Sequence, residues 1–163
     1  MNVAGIRVGL GYDIHPFAAD DDDPRPLVLG GVTVDGPGLV GHSDADVVCH
    51  AVADALLGPA GLPDLGTLFP ASDDRHRGAS SLELLRDVVT RVATAGWAVV
   101  NVDVVINAEE PRLAPHLDSM RDNLRGALAD AFVSVKPKRG EGIGTVGRGE
   151  GIACWAVALL ESR

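Results

Sequence analysis

An aspartate and a histidine stand two residues apart in the stretch GLGYDIHPF, and both are residue types that bind metal ions. Asp13 and His15 occupy alternate positions of a predicted strand, so their side chains point to the same face of it. Two polar groups at the end of an apolar run cost free energy of desolvation unless something binds them. The pattern therefore raises the question of a metal or a ligand at this point of the chain.

A predicted helix that follows carries a stripe of polar side chains. Asp46, His50 and Asp54 recur at intervals of four residues, and His42 precedes the helix. Two histidines and one carboxylate from this strand and this helix would suffice for a zinc site, with a fourth position open for water or substrate. The alternative is that these side chains are unrelated surface or helix-capping residues.

Two further motifs have the chemistry of phosphate binding. In GHSDAD, Ser43 is predicted to cap the helix with Asp46 as its capping-box partner, and His42 is not needed for the cap. The free N–H groups of a helix start attract phosphate. In GRGEG, Arg148 stands between two glycines, and an exposed arginine there would suit a diphosphate. The alternatives are an ordinary helix start and a flexible hairpin.

Length and composition limit the function classes. The 163 residues fit one domain, and the formal net charge of −9 argues against general nucleic-acid binding. Aromatic residues make up only 4%, so association between copies could supply extra burial. We expect no signal peptide and no membrane span. Cys49 and Cys154 lie in apolar segments and are expected to be buried thiols of a reducing compartment, which indicates the cytoplasm.

Strands alternate with helices, which predicts an α/β (α+β) fold: one mostly mixed four-stranded sheet with helices on one face and βαβ units. The acidic segment ADDDDPRP is predicted to be a loop tip. Helices are expected over 43–57, 80–95 and 113–129, strands over 5–17, 97–107, 132–138 and 152–162, and a glycine-rich loop over 139–151.

The segments GYDIHPF, GHSDADVVCHAVADALLG, PDLGTLFP and GRGEGIACWAVALL occur in an order and spacing that closely resembles the 2-C-methyl-D-erythritol 2,4-cyclodiphosphate synthases, over nearly the whole chain. The resemblance implies one such domain over residues 1–163, without a fused cytidylyltransferase domain. It also implies a homotrimer with active sites between neighbouring subunits. The implied reaction belongs to the non-mevalonate isoprenoid pathway: a diphosphocytidyl substrate cyclises and releases CMP.

The resemblance also implies roles for individual residues. Asp13, His15 and His50 match zinc ligands, and Glu141 matches the ligand of a second cation, Mg²⁺ or Mn²⁺. The implied catalytic residues are His42, Asp64 and Arg139. The implied substrate-binding residues are Ser43, Asp64, Leu65, Gly66, Phe69, Asp73, Ala108, Pro111, Arg112, Leu113, Ala114, Lys138 and Arg139. Arg148 and Thr145 match a central cavity that can bind an isoprenoid diphosphate. Asp54 is assigned from its spacing alone, as a possible partner of a ligating histidine.

The chain departs from the family pattern at three places. Lys138 and Arg139 stand in a stretch that is usually rich in threonine, where one threonine helps to stabilise the transferring phosphate. Ala71 follows FP where an aspartate is common, and Thr145 replaces an aromatic residue of the central cavity. Two other functions stay open. A non-catalytic trimer that senses isoprenoid diphosphates would need only Arg148 and the cavity, and a generic zinc hydrolase would need a general base, yet no HExxH motif is present.

Overall fold

The computed structural model describes residues 5–19 and 25–163, and most of the predicted acidic loop tip lies outside these ranges. The strands are β1 (Ile6–Pro16), β2 (Leu27–Leu29), β3 (Val32–Val34), β4 (Trp97–Asn107), β5 (Phe132–Lys138) and β6 (Gly151–Ser162). A four-stranded sheet has the order β1-β6-β4-β5, and β2 and β3 form a separate hairpin. β4 and β5 are parallel, whereas β6 is antiparallel to β1 and to β4. The predicted four-stranded mixed sheet is confirmed.

Three longer helices lie against one face of the sheet. The helices are α1 (Val47–Ala60), α2 (Leu65–Leu68), α3 (Ser81–Thr94), α4 (Leu117–Ala127) and α5 (Gly144–Gly147), with short 3-10 turns at Asp74–His76 and Ala114–His116. β4, α4 and β5 form one parallel βαβ unit. The predicted glycine-rich loop contains α5. No helix in the described ranges has the length and apolarity to cross a bilayer.

The prediction that Ser43 caps the first helix was wrong. The helix starts later, at Val47, and Asp46 is its cap, with a side chain that accepts hydrogen bonds from the N–H groups of Val48 and Cys49. Asp46 is fully buried and also accepts from the N–H groups of Gly30 and Gly31 in the turn between β2 and β3. Burial raises the pKa of Asp46, although the backbone N–H donors offset part of that rise. The aspartate therefore joins the hairpin to the start of α1.

Helix α1 lies unusually close to β1 because two glycines face it. A Cβ atom on Gly9 would lie 2.0 Å from the carbonyl oxygen of Ala55, and one on Gly11 would lie 1.8 Å from that of Ala51. Any side chain at these positions would push the helix away from the strand. The contacts run from Ala55 opposite Gly9 to Ala51 opposite Gly11, so the end of β1 lies level with the first turn of α1, where His50 stands.

The other face of the sheet is apolar and exposed in the single chain. Val8 and Leu10 are each 68% exposed, although Gly9 and Gly11, which alternate with them on the strand, are buried against α1. The exposed apolar residues of β1 and β6 are Ile6, Val8, Leu10, Tyr12, Ile14, Trp155 and Val157. Together these side chains form the open sheet face. A contiguous apolar surface of this kind is typical of a contact with another protein surface.

Both cysteines are buried and unpaired, as predicted. Cys49 lies in α1 and Cys154 in β6, on the layers that form the core. Burial raises the pKa of both thiols well above the ordinary value. The two thiols therefore act as small apolar groups in the core.

Candidate metal and substrate site

Asp13, His15 and His50 converge where β1 meets α1. Asp13 Oδ2 lies 2.9 Å from His15 Nε2 and 2.9 Å from His50 Nδ1, and the two ring nitrogens are 3.2 Å apart. Ligands of a tetrahedral zinc ion lie about 2 Å from the metal, and therefore roughly 3 Å from one another. The three donor atoms already have this mutual spacing, so the residues fit a metal ion of this kind.

The remaining ring nitrogens of the two histidines also have partners. His15 Nδ1 lies 2.6 Å from the carbonyl oxygen of Val40, which can only accept, so this nitrogen carries a proton. In the neutral ring, Nε2 then has the lone pair that a metal ion would need. His50 Nε2 lies 2.9 Å from Ser81 Oγ and 3.1 Å from Ser43 Oγ. Metal-binding histidines typically have their second nitrogen held in this way, which fixes the ring.

Asp13 and His15 each stabilise the charged form of the other. Burial alone would raise the pKa of Asp13, but hydrogen bonds from His15 and His50 hold it well below its usual range. Burial alone would lower the pKa of His15, but the hydrogen bond and the charge of Asp13 reverse this, so the pKa is raised. The centre thus combines an ionised carboxylate with two imidazoles in a partly buried place that suits a cation.

The three residues line a cavity of about 300 Å³. Five other residues that were predicted to bind substrate or to act in catalysis line the same cavity: His42, Ser43, Leu65, Gly66 and Phe69. Ala71, at the position where the family often has an aspartate, is also on its wall. His76 lines the cavity too and packs its ring edge-on against Phe69, with 5.2 Å between ring centroids. His76 was not among the predicted residues, because it stands in a short 3-10 turn that has no periodic pattern in the sequence.

The predicted residues Asp64 and Asp73 stabilise the loops beside this cavity. Asp64 caps α2, and its carboxylate accepts the N–H of Thr67 at 2.7 Å. Asp73 forms a 2.6 Å ion pair with Arg75, which lowers the pKa of the aspartate to about 2. The carbonyl oxygen of Asp73 accepts a hydrogen bond from His42 Nε2 at 3.0 Å. These contacts hold the His42 ring and the start of α2 in place beside the cavity.

The prediction that Asp54 supports a ligating histidine was wrong. Its Oδ1 accepts the N–H of Leu65 at 2.8 Å, so it fastens the loop after α1. The partners of His50 Nε2 are Ser43 and Ser81 instead. Sequence reasoning missed Ser81 because it lies 31 positions from His50, and only the tertiary packing of α3 brings it there.

A second cavity, of about 540 Å³, is lined by another group of predicted residues, among them Arg112, Arg139 and Glu141. It is lined by Ala108, Glu109, Glu110, Pro111, Arg112, Leu113, Ala114, Pro137, Lys138, Arg139 and Glu141. None of these residues lines the cavity of the Asp13, His15 and His50 triad. The single chain therefore keeps the triad in a different cavity from Arg112, Arg139 and Glu141.

Glu109 organises one wall of this second cavity, and the sequence analysis did not single it out. Its Oε1 binds Arg139 Nη2 at 2.5 Å, and its Oε2 accepts the N–H of Gly140 at 3.0 Å. The hydrogen bond from Arg139 lowers the pKa of Glu109. Glu141 follows with a backbone φ of 53°, in the left-handed region. Glu109 thus holds the segment from which Arg139 and Glu141 project.

Arg148 and Thr145 line different cavities of the single chain. Thr145 faces a cavity with Ile14 and Glu150, whereas Arg148 faces one with Pro111. Arg148 forms an ion pair with Glu150 of the same chain, with 2.6 Å between Nε of Arg148 and Oε1 of Glu150.

Comparison with known proteins gives consistent matches. A model of the YgbB family matches residues 6–161. The 2-C-methyl-D-erythritol 2,4-cyclodiphosphate synthase of Rubrobacter xylanophilus is 53% identical over 162 residues, covering 98% of this chain and 97% of the relative. The bifunctional enzyme IspD/IspF of Anaeromyxobacter dehalogenans is 52% identical over 159 residues, or 96% of this chain. This chain spans only 40% of that bifunctional relative.

Solved structures agree with the sequence matches. The structure described as the IspF of Plasmodium falciparum in complex with CDP superimposes with a TM-score of 0.83 at 32% identity. The match covers 99% of this chain and 99% of that one.

Proposed function

Because the chain belongs to the YgbB family, we propose that it catalyses the reaction for which its full-length relatives are named. The substrate would be 4-diphosphocytidyl-2-C-methyl-D-erythritol 2-phosphate, and the products would be 2-C-methyl-D-erythritol 2,4-cyclodiphosphate and CMP. The observation that carries the proposal is the convergence of Asp13, His15 and His50 on one point beside a substrate-sized cavity. A protein that only senses isoprenoid diphosphates would not need this centre.

The reaction is an intramolecular phosphoryl transfer. An oxygen of the 2-phosphate attacks the β-phosphorus of the diphosphate. The bond between the β-phosphorus and the oxygen that it shares with the α-phosphorus breaks, and CMP leaves with that oxygen. The new bond closes an eight-membered ring. Because both reacting groups belong to one molecule, the protein contributes mainly position and neutralisation of charge.

We assign zinc to Asp13, His15 and His50, since a carboxylate and two neutral imidazoles are donors that zinc prefers. We assign a second cation, Mg²⁺ or Mn²⁺, to Glu141, because hard cations of this kind prefer carboxylate oxygens together with phosphate oxygens. When bound, the cations would supply positive charge to the phosphate oxygens.

The cavity beside the triad would hold the erythritol phosphate. We assign phosphate contacts to His42 and Ser43, and the sugar hydroxyls to the segment 64–66. Phe69 closes the apolar side of the cavity, and Asp73 holds the His42 ring in place through its carbonyl oxygen. These residues would keep the 2-phosphate in one orientation and exclude water from it.

The second cavity would hold the nucleotide and the diphosphate. We assign the cytosine and ribose to Ala108 and to the segment 111–114. The CDP bound to the relative from Plasmodium falciparum supports a cytidine nucleotide as the ligand. We assign neutralisation of the transferring phosphate to Arg139, with Lys138 as a weaker contributor. Arginine binds phosphate through charge-assisted hydrogen bonds, so it could replace the threonine of the family pattern.

We propose a homotrimer in which the two cavities of neighbouring subunits meet. The substrate must contact the triad and the nucleotide residues together, yet the single chain keeps them in separate cavities. Association through the open sheet face would bury its apolar side chains and complete a closed ring of subunits. Each active site would then take its triad from one subunit and its nucleotide residues from the next.

Three finer assignments belong to the same proposal. Residues 1–163 would form a single cyclodiphosphate synthase domain. An isoprenoid diphosphate effector would bind near Arg148 and Thr145 on the trimer axis, and Arg148 would exchange Glu150 for the diphosphate. The two unpaired buried thiols suit the reducing conditions of the cytoplasm.

Release of CMP from the diphosphocytidyl substrate tests the proposal. We expect CMP and the cyclic diphosphate in equal amounts from the protein supplied with Zn²⁺ and Mg²⁺. The His50→Ala variant should release CMP far more slowly. A wild-type protein that binds zinc and the nucleotide but releases no CMP would favour the non-catalytic sensor instead.

A further inference from the structure

The ring of His50 is held on its far side by polar residues that have no role in the assignments above. Asp44 lies in the loop before α1, and Ser81 is the first residue of α3, where it is 1% exposed. Ser81 Oγ lies 2.9 Å from His50 Nε2 and in short hydrogen-bond contact with Asp44 Oδ1. A chain of hydrogen bonds thus runs from Asp44 through the buried hydroxyl of Ser81 to Nε2 of His50. The other ring nitrogen of His50, Nδ1, is the proposed metal ligand.

The donors and acceptors that these groups can offer determine which atom donates in each hydrogen bond. The Asp44 carboxylate also accepts the N–H of Ser81 at 3.1 Å and the N–H of Asp46 at 3.2 Å, so it acts as an acceptor toward each of these partners. Ser81 has one hydroxyl proton and donates it to Asp44. The oxygen of Ser81 then accepts from His50 Nε2–H. With the ring proton on Nε2, the neutral imidazole presents the lone pair of Nδ1 to Asp13 and His15.

We propose that Asp44 and Ser81 are positioning residues of the metal centre, acting through the orientation and the tautomer of His50. The proposal rests on the metal-binding part of the proposed function. Carboxylate-supported histidines of this kind bind metal more tightly than unsupported ones, and loss of the support typically costs 10–100-fold in affinity.

Of the two histidines in the triad, His50 is the one whose second ring nitrogen is bound by side chains. His15 has its second nitrogen held by the carbonyl oxygen of Val40, a backbone group that side-chain substitution does not remove. His50 instead depends on two side-chain hydroxyls: the nearer one, at 2.9 Å, is that of Ser81 on a different helix, and the other, at 3.1 Å, is that of Ser43. Two backbone hydrogen bonds join the segments that carry the relay, from Asp44 N to Ala79 O at 3.0 Å and from Gly78 N to His42 O at 2.9 Å. The start of α3 is therefore fixed against the loop before α1.

Affinity for Zn²⁺, measured by competition with a chromophoric chelator, tests the proposal. We expect Ser81→Ala to bind zinc 10–100-fold more weakly than the wild type, and Ser81→Thr, which retains the hydroxyl, to recover most of the loss. The absorption spectrum of the Co²⁺-loaded protein should change in Ser81→Ala and return in Ser81→Thr. Ser80→Ala is the matched control, because the side chain of Ser80 makes no capping hydrogen bond.

A purely structural role would give a different result. If Ser81 only fastens α3, Ser81→Ala will lower the midpoint of urea unfolding of the metal-free protein without changing zinc affinity or the cobalt spectrum, and this outcome overturns the proposal. Should Ser81→Ala fail to fold, Asp44→Asn takes its place: it should also weaken zinc binding, and wild-type affinity in that variant overturns the proposal.

The same measurements separate this inference from the function on which it rests. If the wild type and His50→Ala bind zinc equally well, the metal assignment itself is wrong, and the positioning role falls with it. If the wild type binds zinc at His50 and Ser81→Ala binds it equally tightly, only the positioning role is wrong. The result that we expect is tight binding by the wild type, weaker binding by Ser81→Ala, and the weakest by His50→Ala.

Discussion

At the scale of single residues, the surroundings of the Asp13, His15 and His50 triad differ from those of Arg139 in the second cavity. Asp13 is surrounded by two imidazoles that lower its pKa, so the centre concentrates negative charge and lone pairs for a cation. Arg139 projects from a loop end and is held by Glu109, so its charge is fixed on the wall of an open cavity. The two positions should therefore respond differently to substitution.

Replacement of His50 by alanine should remove zinc and activity together while the fold survives. The substitution deletes one of three donors, so zinc affinity should fall by more than the roughly 100-fold that loss of a supporting partner costs. Metal content by atomic absorption after dialysis is the measurement. His76→Ala, in the same cavity but outside the triad, is the matched control and should retain zinc. One zinc per chain in the His50→Ala protein would remove this residue from the ligand set.

Replacement of Arg139 by alanine should lower the catalytic rate by at least about tenfold, or about 1.4 kcal/mol of barrier. A charge-assisted contact contributes to the rate only if it strengthens as charge shifts in the transition state. Lys138→Ala is the matched control on the same cavity wall and should reduce the rate less. Single-turnover CMP release measures both. A full-rate Arg139→Ala protein would mean that backbone N–H groups, Glu141 and bound cations neutralise the phosphate without this side chain.

At the scale of elements, the distance between β1 and α1 determines whether the centre can form. Because Gly9 and Gly11 have no side chains, the carbonyl oxygens of Ala55 and Ala51 lie where a Cβ atom would otherwise stand. Asp13 is two residues beyond Gly11 on the same face of the strand, so any separation of the two elements also separates Asp13 from His50. The packing and the chemistry of this protein are coupled through these glycines.

Gly11→Ala should therefore lower both stability and zinc affinity. Overpacking in a well-packed core typically costs 1–3 kcal/mol, and here the added methyl group would meet backbone atoms that cannot turn away. Urea unfolding and zinc titration measure the two effects. Gly58→Ala in α1 is the matched control, because its Cβ would meet open space and helix propensity favours alanine by roughly 1 kcal/mol. Unchanged zinc affinity in Gly11→Ala would refute the coupling.

At the scale of the whole molecule, the separation of the two cavities and the exposure of the open sheet face lead to the same expectation. A single chain keeps the proposed site residues in two cavities and leaves an apolar face uncovered. A symmetric ring of three chains would bring two such cavities together and bury that face. The aromatic content of 4% is consistent with this, since a core built from small aliphatic side chains gains from burial between subunits.

Mixing two inactive variants should restore activity if the sites are shared. A His50→Ala subunit would keep its nucleotide cavity, and a Glu141→Gln subunit would keep its triad. Random exchange of equal amounts should rebuild about a quarter of the sites, because a working site needs one intact half from each variant. CMP release after unfolding and refolding of the mixture is compared with each variant refolded alone. Recovery no greater than that of the separate variants, or a monomer by light scattering, would argue against shared sites.

The sequence predicted much of the fold and of the site because those parts follow from local patterns or from strict motifs. The strands at 97–107 and 132–138 have the predicted bounds, and spacing on one strand face brought Asp13 together with His15. The start of α1 was missed because Ser43 and Asp46 are both good capping residues. The choice between them depends on the hairpin N–H groups that Asp46 also binds.

The contacts that could not be predicted are those that join distant parts of the chain. Ser81 reaches His50 from another helix, and Glu109 reaches Arg139 from another strand end. Asp54 had the helical spacing of a partner for His50, but its carboxylate accepts the N–H of Leu65, the first residue of α2. Periodicity gives the face on which a side chain lies. The partner that it finds there depends on packing between elements.

Because both cysteines are buried, the reactivity of their thiols can report on local opening of the structure. A thiol-specific dye reacts with the thiolate, and the folded protein offers neither access nor an ordinary thiol pKa at Cys49 or Cys154. Cys49 is in α1 and Cys154 is in β6. The rate of thiol labelling would therefore measure how often α1 separates from the four-stranded sheet. Counting those events with and without zinc would show whether the metal slows this opening motion.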